Sequence, residues 1–558
     1  MKAKPKKCVS LAFRQFSKND KSKFTPRKPT AYSAFDPKLT IAGKEIAFIF
    51  NPQEVDPFRR EHFKFLGRWI HENLTEAKIK ENVKTEVERL FATTKKAHLT
   101  GFMKLWLYQH YILAMLVWPF LIHDLDLSFV SSLEKHANPL LKKWAGLFAK
   151  ADTGTLYRPK QTFGLGLTSL CTHFKKMQTL KCHLLSNSPD EDVKAVYEQK
   201  VANEKAASRV WRPTQLTTKA QAMATHQLRF PSQRGRRGLG HGNFCANPSA
   251  IDVRKQVSSA VSELESERHL THAFGLKLQG VWTKWWEKAN PFDLSWNNLI
   301  YGTSANVVSF VLNATINSVV TPDMLSLWKC KEDPSCPLCG KSQCTLAHIL
   351  SGCKKALSDK RLTWRHDSVL SALEPFLRKQ ISNATSFHRP AHFVAQSQQP
   401  PKSKRKRNLL SNSKDWKMEI DFDSKHYSFP EHICATPLRP DVLLYSNESK
   451  RMILLELTCP MEENLSTANL EKEAKYLKLA PILERNWSMT IIPFEVGARG
   501  FVASSTVKML HNLGFSTTRT KKICKHLSRV VARCSYTIWL NRHTRTWPLA
   551  RSLLSLDC

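Results

Sequence analysis

Residues 439–458 read RPDVLLYSNESKRMILLELT, two unbroken apolar runs on either side of a polar turn. Runs that are apolar on both faces do not suit a half-solvated strand; they suit interior strands of a covered sheet. The stretch predicts a β-hairpin at a sheet centre, with Val442, Leu443 and Leu444 on one arm and Ile453, Leu454 and Leu455 on the other. A turn centred between Glu448 and Ser449 sets Asp441 directly across from Glu456, on the same face. Paired Cβ atoms lie about 4.5–5.5 Å apart, and two carboxylates at that range repel unless a cation sits between them. A register slip of one residue would send the acids to opposite faces. The competing reading is two ordinary polar residues at strand ends.

The sequence after the hairpin favours the first reading. STANLEKEAKYLKLAPILERN (Ser466 to Asn486) predicts a helix and MTIIPFEVG (Met489 to Gly497) a strand. Lys472, Lys475 and Tyr476 fall at i, i+3 and i+4, so they share one helix face. A lysine aimed at two carboxylates and a metal can orient an attacking water and stabilise phosphorane charge; a solvated Glu/Lys face is the bland alternative. Mg²⁺ takes one or two carboxylates plus waters and phosphate oxygens, which suits Asp441 and Glu456, with Mn²⁺ as a substitute. A last helix is expected over Arg519 to Arg542. Ile523, Leu527, Val530, Cys534 and Ile538 would form its apolar stripe, and Lys522, Lys525, Arg529 and Arg533 a basic one suited to a phosphate backbone.

Four cysteines crowd into CPLCGKSQCTLAHILSGC. The spacing Cys336-x2-Cys339-x8-His348-x4-Cys353 supplies the four soft or borderline ligands of a tetrahedral Zn²⁺. Four protein ligands leave no open position, so the expected site is structural. Cys344 is a competitor ligand and Cys330 a weaker one.

The 558 residues exceed what one compact core accommodates, so several domains are expected. Lysine plus arginine number 85 against 47 acids, a formal charge of +38. Such an excess repels itself unless a polyanion neutralises it, and nucleic acid is the usual one. The charge follows no single amphipathic stripe, which argues against a membrane surface. LWLYQHYILAMLVWPFLI (Leu105 to Ile122) is marginal in length for a span and predicts a buried helix or helix pair broken at Pro119. No long apolar run follows Met1 to Ser10, so no signal peptide is expected, and the scattered thiols fit a reducing compartment.

The chain divides on composition into residues 1–70, short strands and loops; 71–202, helical with stops at Pro119, Pro139 and Gly164/Gly166; 203–285, a basic linker around RFPSQRGRRGLGHGNF; 286–396, a helical linker with the cysteine cluster at 336–353 and an amphipathic helix from Arg361 to Lys379; 397–408, a basic tether; and 409–558, a compact α/β unit. The tether, SQQPPKSKRKRN, reads as a nuclear import signal or a backbone-binding segment, with a merely solvated linker as the alternative. The fold class is multidomain α+β, mostly helical, with a small zinc knuckle and a C-terminal unit built on a central mixed sheet.

The order Cys-x2-Cys…TLAHILSGC, RHDSVL, LRPDVLL…ILLELTCPMEE…KEAKYLKLA…FEVGARGF resembles the C-terminal part of non-LTR retrotransposon polyproteins. These carry a restriction-enzyme-like endonuclease of the PD-(D/E)XK type after a zinc knuckle. The resemblance implies a Mg²⁺-dependent DNA endonuclease that nicks double-stranded target DNA in the nucleus and so primes reverse transcription of element RNA, with self-association on the target. It makes Pro440-Asp441 the PD, Glu456 the second acid, and Lys472 or Lys475 the lysine, with Tyr476 beside it. Thr458 stands where the common motif has its lysine. Arg365-His366-Asp367 matches a motif after the knuckle, which implies nucleic-acid contact by Arg365 and His366, with Arg439 contributing beside the PD. KKCVSLAFRQF, FKFLGRWI and KLWLYQHYIL resemble the end of a polymerase palm and a thumb. The catalytic polymerase aspartates are missing from this chain, so no autonomous DNA synthesis is expected. The competing function is a decayed or domesticated nucleic-acid-binding protein without catalysis.

Overall fold

The computed structural model describes residues 76–206, 211–229, 250–286, 297–385 and 408–547, apart from 331, 412, 423–425, 478–480 and 482–485, and four short strand segments nearer the N-terminus. Those segments pair as two antiparallel ladders, Thr40–Ile41 with Lys44–Glu45 and Phe63–Phe65 with Arg68–Ile70. Most of residues 1–70, the Gly/Arg-rich stretch 230–249 and the tether up to 407 lie outside the described residues. The fold is helix-rich with one small four-stranded mixed sheet.

The described residues divide into two compact units. One draws on Met1–Leu99, Trp106–Ala137 and Thr168–Leu264, the other on Thr100–Leu105, Asn138–Leu167 and Glu265–Cys558. The first is helical around Leu170–Ser186, whose Phe174 meets Phe120 edge-on at 5.4 Å and Trp211 at 5.4 Å. Gln178 donates to the carbonyls of Phe120 and His123, tying off a helix end.

Three expectations change here. The run from Leu105 breaks at Leu116 rather than Pro119, which sits in the first turn of Val117–Ile122 where a missing N–H costs nothing. That run is not wholly buried, since Trp106, Tyr111, Met115 and Trp118 are exposed. Among the described residues no helix is long and apolar enough to cross a membrane. Pro139 is not a stop: the helix Leu127–Ala145 runs through it, giving up one hydrogen bond. The range 203–285, expected as linker, carries the helices Pro213–Arg229 and Ala250–Phe274.

The second unit holds the sheet. Helix α1 (Arg361–Thr385) leads to β1 (Lys417–Ile420), β2 (Val442–Ser446), β3 (Arg451–Thr458), α2 (Leu465–Leu477), β4 (Ser488–Glu495), α3 (Ser504–Asn512) and α4 (Thr517–Leu540). The strand order is β1-β2-β3-β4, antiparallel except for β3 with β4, which α2 joins as a parallel crossover. The hairpin arms are the two interior strands, as their two-faced apolar pattern requires. Val442 pairs with Leu455 and Ser446 with Arg451, the register that sets Asp441 opposite Glu456. The turn is secured by Asp415, which accepts from the Ser446 hydroxyl and the Glu448 amide.

Each sheet face has its own core. Val442, Leu444, Ile453, Leu455 and Leu457 pack with α1, α3 and α4, while Leu443, Tyr445, Met452 and Leu454 pack with Tyr476 of α2. Gly514 joins α3 to α4 at φ +89, a conformation that disfavours any side chain. Arg499, buried in the loop after β4, donates to both Glu462 and Glu463 and to the Ala314 carbonyl. A Cβ on Gly497 would fall 2.3 Å from a Glu462 oxygen, so that ion pair needs a glycine there.

The expected boundary between a helical linker and a separate α/β unit does not hold at α1. Val369, Leu370, Leu373, Leu377 and Ile381 of α1 are core residues of the sheet itself. The amphipathic stripe was legible, but its partner was not. Leu373→Ala should cost about 2–5 kcal/mol and speed hydrogen exchange in β2 and β3. Unchanged exchange there would restore α1 to an independent linker helix.

Candidate functional site

The cysteine cluster closes as its spacing implies. The donor atoms of Cys336, Cys339, His348 and Cys353 all lie within 4.8 Å of one another, so the four could hold a metal ion. Cys336 and Cys353 sulfurs are 4.0 Å apart, and Cys339 Sγ is 3.3 Å from His348 Nε2. Around a tetrahedral Zn²⁺ the sulfurs would be roughly 3.8 Å apart, so the donors fit. Gly340, at φ +71, closes the Cys336–Lys341 turn. His348 opens a widened helical turn, His348–Gly352, and Cys353 caps the short helix Lys354–Ser358. Cys344 is buried beside the cluster but outside the four, and burial pushes its thiol well above the usual range. Cys330 is exposed and donates to the Trp328 carbonyl.

The second cluster forms where the hairpin meets α2 and the N-terminal end of α1. Glu456 is fully buried on β3, and its Oε1 accepts from the Asp441 amide at 3.2 Å. Asp441 Oδ2 accepts from the Leu457 amide at 2.7 Å. Lys472 is the lysine that reaches this pair, with Nζ 2.5 Å from Glu456 Oε2. Lys475 stands one group further out: its Nζ donates to the Tyr476 hydroxyl at 2.8 Å and sits over that ring, and that hydroxyl lies beside the Glu456 carboxylate. Tyr476 is fully buried and donates to the Arg439 carbonyl, fixing α2 against the chain leading into β2. Of the two lysines left open by the spacing, Lys472 is the one in contact with Glu456.

Charge is balanced by those neighbours. Burial pushes the Asp441 carboxyl up, but His366, Lys472 and the Leu457 amide outweigh it, so Asp441 ends below the usual range. Glu456 ends above it, chiefly through burial and then through Asp441. Burial lowers Lys472, yet the two acids hold it charged and raise it. The arrangement is two directly opposed acids, Lys472 against Glu456 and His366 against Asp441, with hard oxygen donors of the kind a divalent cation takes. Thr458, where the common motif places a lysine, has its hydroxyl oxygen buried without a partner among the described residues.

His366 belongs to this cluster, which the sequence did not reveal. Its Nε2 is 3.3 Å from Asp441 Oδ2 and its Nδ1 is 3.0 Å from Asp367 Oδ1. Burial lowers the imidazole, but the two flanking carboxylates raise it to about 9. Tyr427 also borders the cluster, its hydroxyl donating to the Pro440 carbonyl next to Asp441, and no sequence motif marks it.

Of the expected nucleic-acid contacts, Arg365 is only 2% exposed and bonds to the Cys459 carbonyl and Ser535, so it is a packing residue, not a phosphate ligand. The desolvated guanidinium is held by acceptors inside the fold. Arg533 is half-buried and reaches the Gly302 carbonyl. Arg529 is half-buried and bonds the Lys525 carbonyl. Lys522 and Lys525 are exposed on α4, and Arg439 is exposed beside Asp421. No family model matches the chain, and no curated protein matches it.

Purified protein should carry one tightly bound metal ion per chain. Cys336→Ser and His348→Ala should lose it while Cys344→Ser keeps it, as read by elemental analysis. Loss in Cys344→Ser with retention in His348→Ala would reassign the fourth ligand.

Proposed function

We propose that this chain is a divalent-metal-dependent DNA endonuclease of the restriction-enzyme type, carried with a structural zinc knuckle on the C-terminal part of a non-LTR retrotransposon polyprotein. The observation that carries the reading is the convergence of Asp441, Glu456 and Lys472 on one point of the sheet. In this reading Mg²⁺ or Mn²⁺, when bound, polarises the scissile phosphate and lowers the pKa of its water. Asp441 and Glu456 hold the cation. Lys472, kept charged by both acids, faces the phosphate oxygens and stabilises the charge that develops on them. Tyr476 steadies the Glu456 carboxylate and, with Lys475 on its hydroxyl, braces α2. The Cys336, Cys339, His348, Cys353 set binds Zn²⁺ and fixes the start of α1.

The exposed Lys522 and Lys525, with Arg439 near the site, are the proposed contacts to the DNA backbone. Element RNA is the second proposed polyanion partner, and the nucleus is the proposed compartment. Paired buried acids with a lysine drawn against them favour catalysis over binding alone, because such a group is expensive without a role.

Supercoiled plasmid with Mg²⁺ tests the reading. Wild-type protein should nick it, Asp441→Ala should abolish nicking, and Lys472→Met should slow it about 10²–10³-fold. Lys475→Met should stay within a few-fold of wild type. Equal nicking by wild type and Asp441→Ala, or none by either, would remove the endonuclease reading. Separately, Lys522→Ala and Lys525→Ala should each flatten the slope of log affinity against log salt by about 0.9 per lost phosphate contact. A slope that both variants leave unchanged would take α4 out of the DNA interface.

A further inference from the structure

We propose that His366 is a positioning residue, one that fixes the Asp441 carboxylate so that its Oδ1 faces the divalent cation. The inference rests on the reading of Asp441 and Glu456 as metal ligands.

The two donors that reach Asp441 converge on one oxygen. Oδ2 accepts from the Leu457 amide at 2.7 Å and lies 3.3 Å from His366 Nε2. Among the described residues no hydrogen bond ends on Oδ1. A carboxylate with one oxygen held by two protein donors has a fixed plane, and its other oxygen points where the donors leave it. Such outer contacts set the orientation of metal-binding carboxylates.

The imidazole is itself held. Asp367 is an acceptor at Nδ1, 3.0 Å away, which makes that nitrogen a donor and directs Nε2 at Asp441. His366 continues the stripe of Leu370, Leu373 and Leu377, the residues that lock α1 onto the sheet. Its neighbour Arg365 bonds the carbonyl of Cys459, three residues beyond Glu456, and Ser535 of α4. One turn of α1 is thereby pinned to the strand that bears the second acid, and the ring has little freedom to leave Asp441. Its side chain is 23% exposed, and both ring nitrogens are engaged inside the protein, which does not suit a phosphate contact.

Full-chain wild type, His366→Ala, His366→Gln and Asp441→Ala decide the matter through three measurements. These are Mn²⁺ binding by electron paramagnetic resonance, plasmid nicking against Mg²⁺ concentration, and DNA affinity without divalent metal. His366→Ala should weaken the Asp441-dependent Mn²⁺ binding about 10–100-fold and raise the Mg²⁺ needed for half-maximal nicking by the same factor. DNA affinity should not change. His366→Gln, whose amide can donate near the Nε2 position, should recover most of the loss. Unchanged Mn²⁺ binding in His366→Ala overturns the proposal, and so does DNA affinity that falls in step with nicking. A loss that His366→Gln does not recover marks a packing defect and also overturns it. If Asp441-dependent Mn²⁺ binding responds to His366 while wild type and Asp441→Ala nick alike, the nuclease reading fails and the positioning of the metal ligand stands. If wild type binds no Asp441-dependent Mn²⁺, both fail.

Discussion

The pairing of β2 with β3 is the constraint on which the rest of the site depends. Val442 opposite Leu455 and Ser446 opposite Arg451 leave one place for Asp441, across from Glu456. A slip of one residue would bury Leu443 in the wrong core and part the acids. Two features prevent it. The Asp415 carboxylate ties off the turn, and each face of the hairpin packs against a different set of helices. The cost of bringing two carboxylates together inside the fold is offset by Lys472 from one side and His366 from the other.

The knuckle and the sheet are not separate modules on a string. Cys353 caps the helix Lys354–Ser358, and α1 begins a few residues later. Arg361 of α1 donates to the carbonyls of Asn541 and Thr544, beyond the end of α4. Arg365 and His366 then follow on the same helix. A metal ion held by the four donors would stiffen the start of the helix that ends up against Asp441. This continuity supports a structural role for the metal and ties it to the proposed catalytic site.

Much of this was legible in the sequence because local rules dominate it. The hairpin, its register, the helix and strand that follow and the four donors of the cluster all come from short-range spacing. Other parts depend on which surfaces meet. The stripe on α1 announces a buried face but not the sheet beneath it, so the sequence alone groups α1 with the linker. Arg365 looked like a phosphate ligand, and only its Cys459 and Ser535 partners show it to be a packing residue. His366 is 75 residues from Asp441 in the chain, and nothing local links them. Lys472 and Lys475 share a helix face by spacing alone, yet differ in which group each reaches.

The central claim is that a divalent cation sits between Asp441 and Glu456. Fe²⁺ in place of Mg²⁺, with ascorbate and peroxide, generates hydroxyl radicals that cut the polypeptide beside the bound ion. Cleavage should map to the chain around Asp441, Glu456 and Lys472, and added Mg²⁺ should suppress it. Cleavage confined to residues 336–353, or scattered cuts that Mg²⁺ does not suppress, would contradict the claim.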